Sequence, residues 1–80
     1  MGIYDFNILS EHDQYNTVFT KGQFVDIVIE GGIRYALYSL SYFWVEVEYY
    51  APSNKIKGVL SFVSGGEGLN RHSNLSNNTL

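Results

Sequence analysis

Eighty residues suffice for one small domain and not for two, and the absence of cysteine excludes a disulfide framework or a thiolate metal site. A hydrophobic fraction of 45%, with 16% aromatic residues, provides for a packed core, and at this size oligomerisation is a common supplement to packing. The net charge is −3 and the five basic residues (Lys21, Arg34, Lys55, Lys57, Arg71) are scattered, which argues against nucleic acid, because phosphate binding draws on a basic patch.

The chain opens on "MGIYDFNILSEHDQ", with acidic residues where a secretory signal carries positive charge. Gly2 invites a check for N-myristoylation, but position 6 is Phe6, where the motif calls for Ser or Thr. No apolar run approaches the roughly 20 residues of a membrane helix. A cytoplasmic protein without membrane contact is the expectation. Apolar residues at Ile3, Tyr4, Phe6, Ile8 and Leu9 form either an extended lead-in or a turn of helix. Ser10 is a good N-cap, Glu11 and Asp13 suit the first turn, and Tyr15, Val18 and Phe19 make one apolar stripe. Lys21 suits the last turn and Gly22 a left-handed stop. This predicts an amphipathic helix over 11–20.

After Gly22 the period changes from helical to alternating. "QFVDIVIE" sets Val25, Ile27 and Ile29 against Phe24, Asp26, Val28 and Glu30, a half-buried strand. Gly31-Gly32 is a hairpin signal, and "IRYALYSL" is the second strand. Ser41-Tyr42 is a weaker turn before "FWVEVEYY", and "APSNK" is a loop before "IKGVLSFV". Short connections imply antiparallel neighbours. The predicted fold is α+β, one N-terminal helix on a four-stranded antiparallel meander. Residues 1–63 form that domain, and residues 64–80 a Gly/Asn/Ser-rich tail that is flexible or only locally ordered. Two sequons in the tail, Asn74-Leu-Ser76 and Asn77-Asn-Thr79, are chance matches without a secretory signal.

A two-residue turn at Ser41-Tyr42 sets Leu40 opposite Phe43, Tyr38 opposite Val45 and Ala36 opposite Val47. That face is apolar and is assigned to the core under the helix, with Tyr49 and, from the fourth strand, Ile56, Leu60 and Phe62. Gly58 marks either a bulge or a close approach by the helix. The opposite face pairs Ser39 with Trp44, Leu37 with Glu46, Tyr35 with Glu48 and Ile33 with Tyr50. One short helix cannot cover both sides of the sheet, so this aromatic-acidic face is expected to be open and to bind a partner. Its candidate binding residues are Tyr35, Leu37, Trp44, Glu46, Glu48 and Tyr50.

Glu46 and Glu48 project the same way, and paired carboxylates can serve acid/base or glycosidic chemistry. The simpler reading is two solubilising charges in an otherwise sticky strand. His12 and His72 show no metal-ligand spacing and read as exposed, non-liganding residues. "SGGEG" at 64–68 lacks the order of a phosphate loop. Tyr35, Trp44 and Tyr50 offer stacking surfaces for single-stranded nucleic acid, but the two glutamates repel phosphate from the same face. No catalytic residue, metal or cofactor is assigned.

The run "IRYALYSLSYFWVEVEYYAPSNKIKGVLSF" resembles short bacterial proteins of uncharacterised function with an aromatic-V-E-V-x-Y strand, an N-K-I turn and an x-S-F close. The resemblance covers 33–62 and implies a bacterial, cytoplasmic, small α+β protein, with no activity to carry over. The functional expectation is a non-enzymatic protein-interaction module, joined as a homodimer or to another protein through the Trp44 face or a strand edge. A small acidic chain also suits an immunity- or antitoxin-like role, by analogy of charge and size. Two alternatives stand beside it: a small hydrolase or isomerase using Glu46 or Glu48, and single-stranded nucleic-acid binding.

Overall fold

The structure, a computed structural model, describes residues 1–63 together with His72. The readings made for the tail, at 64–68 and at the two sequons, lie outside the described residues. Two short helices, α1 (Ile3–Asn7) and α2 (Glu11–Lys21), precede strands β1 (Gln23–Glu30), β2 (Ile33–Leu40), β3 (Phe43–Tyr50) and β4 (Lys55–Phe62). The strands form one antiparallel meander in the order β1-β2-β3-β4. The fold is α+β, as the periodicities require.

The apolar lead-in is a helix. In α1 the Gly2 amide donates to Asp5 Oδ2 at 3.3 Å, and Phe6 turns into the core while Tyr4 and Ile8 face outward. Five residues are too few for an independent helix, so α1 depends on that docking. Ser10 caps α2, its hydroxyl accepting the Asp13 amide at 3.2 Å. Gln14 Nε2 donates to the Phe6 carbonyl at 3.2 Å and ties the helices together.

Gly22 departs from the expected left-handed stop: its backbone is extended, with φ −81°. Its role is close approach instead. A Cβ there would lie 2.7 Å from the Val18 carbonyl oxygen and 3.3 Å from that of Ser39. Only glycine lets the chain leave α2 so near the second strand.

Gly31 and Gly32 take φ 56° and 81°, the positive pair of a twist-matched hairpin turn. Ser41 adopts φ 55° in the next turn without being glycine. The β2–β3 register is the expected one throughout, from Leu40 opposite Phe43 to Ile33 opposite Tyr50. Asn54, at φ 59°, closes the last turn, and its Oδ1 accepts from Arg34 Nη1 at 3.0 Å.

Two bulges change which residues share a face. Phe24 pairs with Tyr38 and Asp26 with Leu37, so Val25 is the extra residue. Phe24 thereby joins Ile27 and Ile29 on the helix side. In β4, Ile56 pairs with Tyr49 and Gly58 with Glu48, which leaves Lys57 as the extra residue. The helix side therefore takes Ile56, Val59 and Ser61. Leu60 and Phe62, expected in the core, lie on the opposite face beside Glu46 and Trp44, because a bulge inverts the alternation beyond it. Gly58 does mark a close approach, by Glu48 and not by the helix: a Cβ there would sit 3.0 Å from Glu48 Oε2.

Phe6, Val18, Leu40, Phe43, Val45 and Val47 are the buried centre of the helix-side core, and the Phe6 and Phe43 rings meet at 5.5 Å. The Ser61 hydroxyl donates to the Asn7 side-chain oxygen and pins α1 to β4. Tyr49 packs at the margin of this core. Burial, and then the neighbouring Tyr38, push its phenol up from the ordinary 10.0 to about 12. The shifted phenol is favoured in its neutral form, so its contribution to stability is whole below pH 10.0 and disappears as pH rises through about 12. Denaturation midpoints should fall across that window, and fall less in Tyr49→Phe. Equal slopes for the two proteins would contradict the assignment.

Candidate functional site

The sheet face away from the helices was expected to be open. Its middle is closed. Leu37 is 0% and Glu46 1% exposed, so neither presents a surface to a partner. Of the other residues proposed there, Tyr35, Trp44 and Glu48 are half-buried and Tyr50 is exposed. They share a face, but the patch they form is interrupted at its centre.

His72 accounts for the interruption. Expected as an exposed residue of the tail, it is 1% exposed and lies over this face. Its Nδ1 is 2.6 Å from Asp26 Oδ2 and its Nε2 is 3.0 Å from Glu46 Oε2. The sheet dictates this arrangement. Asp26 and Glu46 are both direct neighbours of Leu37, one on β1 and one on β3, so their strands stand two spacings apart, roughly 9.6 Å. A carboxylate–imidazole–carboxylate chain spans that distance above Leu37. Each ring nitrogen meets one carboxylate oxygen, and a ring N–H that donates to a carboxylate makes one of the stronger hydrogen bonds.

What can this triad do chemically? A hydrolytic triad uses a carboxylate to orient histidine towards a nucleophile that a substrate can reach. Here the second ring nitrogen meets another carboxylate, and that carboxylate is buried. The arrangement gives each carboxylate a partner on His72. Metal binding fits no better, because the ring nitrogens point to opposite sides and the carboxylates do not converge on one point. Among the described residues no group of three or more Asp, Glu or His side chains is placed to hold a metal ion. His12, the other histidine, accepts or donates at 2.9 Å to the Tyr15 hydroxyl on the exposed side of α2.

A cavity of about 270 Å³ lies at the β2–β3 turn, lined by Ser39, Ser41, Tyr42, Phe43 and Trp44. It does not include Glu46 or Glu48, the two candidate acids. Among the described residues no helix is long and apolar enough to cross a membrane.

The helix side holds the larger unexpected feature. The main contacts of α2 are with β2 and β4 and those of α1 with β4, and β1 projects beyond them. Phe24, Ile27 and Ile29 are 58%, 46% and 65% exposed, and Phe19 on α2 is half exposed beside them. The rings of Phe19 and Phe24 both flank Tyr38, at 5.9 and 5.7 Å. The result is a continuous apolar strip from α2 along the outer strand.

One row of the sheet carried the clue to the bridge: two acids either side of Leu37 on one face. Finding the partner required a contact across 46 residues, which no periodicity encodes. Comparison with family models, curated proteins and solved structures finds no match to this chain.

Proposed function

We propose that the chain is a non-enzymatic, self-associating protein-interaction module. The observation that carries the reading is the exposed strip of Phe19, Phe24, Ile27 and Ile29. Large contiguous apolar surfaces on small proteins mark contact sites, whereas isolated apolar residues do not. An acid/base enzyme is the weaker reading, because Glu46 is buried and already meets His72. Phosphate repulsion by Glu48, together with scattered basic residues, leaves nucleic acid with little to hold.

A bacterial, cytoplasmic setting belongs to the same reading. It is supported by the resemblance over 33–62 and by the acidic balance of the chain. Sedimentation velocity over a wide concentration series is the test. The expected result is a reversible dimer that survives Trp44→Ala, since the strip lies on the other side of the sheet. A monomer at every concentration would sink the proposal.

A further inference from the structure

We infer that the partner is a second copy of this chain, paired antiparallel through β1 to continue the sheet across a two-fold axis. The inference rests on the self-association reading and adds its surface and geometry. Among the described residues nothing pairs with the outer edge of β1, which ends the sheet. An edge strand offers a row of unpaired donors and acceptors, and proteins usually blunt it with lysine, proline or a bulge.

The two edges of this sheet are treated differently. The β4 edge carries Lys55 and Lys57, with Lys57 in the bulge, and follows Pro52. The β1 edge carries no lysine and no proline, and its bulge at Val25 lies near its start. From Asp26 to Glu30 its pairing is regular. One edge is protected and the other is prepared for pairing.

Charge selects the occupant. The helix side of β1 shows only Phe24, Ile27 and Ile29, and the nearest acid on the strand, Asp26, lies on the opposite face held by His72. The strip therefore offers nothing to a basic partner, yet its lack of charge lets two acidic chains meet there. A two-fold axis perpendicular to the sheet keeps both pairs of helices on one side and lays strip beside strip, the self-complementary contact that such symmetry requires. Centring the pair on Ile27, the middle residue of the strip, sets isoleucine against isoleucine across the axis.

The chain has no cysteine, so a single introduced thiol can pair only with its own copy. Ile27→Cys should oxidise rapidly to a covalent dimer, because directly opposed strand residues lie within the reach of a disulfide. Ser53→Cys, in the exposed β3–β4 loop, should not. Ile27→Lys should keep its circular dichroism spectrum and weaken association on the order of thirtyfold or more, as loss of a central contact residue does. If the wild type sediments as a dimer while Ile27→Cys cross-links no faster than Ser53→Cys, the β1 geometry is overturned and self-association through another surface stands. A wild type that is monomeric throughout overturns both.

Discussion

Replacing His72 with alanine should lower the unfolding free energy by about 1.5–3 kcal/mol, the usual worth of a hydrogen bond to a charged group, since its ring meets the carboxylates of Asp26 and Glu46. A chain of this size holds roughly 4–12 kcal/mol in all, so the loss is a sizeable part of the total. Glu46 is 1% exposed and His72 fully buried, whereas Asp26 is partly exposed and can turn to water. Urea denaturation monitored by Trp44 fluorescence measures the loss directly. His12→Ala, on the exposed side of α2, serves as the histidine control and should change stability by less than about 0.5 kcal/mol. An effect of His72→Ala no larger than that of His12→Ala would mean that the bridge does not form in solution.

Phe6→Ala is the second large effect, at about 3–5 kcal/mol for emptying a fully buried aromatic site. Phe6 is the buried residue of α1 and lies against Phe43 at the centre of the core. A five-residue helix has no stability to fall back on, so the substitution should also undock it. Hydrogen exchange at the Phe6 and Leu9 amides, both bonded within this segment, should rise by more than the global loss of stability explains. Tyr4→Ala and Ile8→Ala, on the outward side of the same helix, should stay within about 0.5 kcal/mol of wild type. If all three variants unfold alike, α1 is not anchored through Phe6.

These two residues differ in how readable they were. Phe6 sits in an apolar lead-in whose conformation the residue pattern left open between strand and helix, since five apolar positions in seven fit either period. Its burial depended on which faces of β3 and β4 lay beneath it. His72 gave no local sign at all. It stands alone in a polar segment, and its partners are 26 and 46 residues away.

The strands were legible because their causes are local. Alternation, the Gly31-Gly32 turn and the Pro52 loop specify four antiparallel strands, and the two-residue turn at Ser41-Tyr42 specifies the β2–β3 register residue by residue. The bulges at Val25 and Lys57 were not legible, since an extra residue leaves composition and approximate alternation intact while inverting the faces beyond it. That inversion moved Leu60 and Phe62 off the core side and brought Phe24 into line with Ile27 and Ile29.

The amino-acid sequence by itself thus determined the α+β class, the meander and the pairing across its central strands, because each follows from side-chain period and turn chemistry within a few residues. Only the tertiary structure decided which surface is free. Helix placement over β2 and β4 left the β1 strip exposed, and the long-range His72 bridge closed the middle of the face that carries Trp44, Glu46, Glu48 and Tyr50. Both outcomes depend on contacts between segments far apart in the chain, where local pattern carries no information.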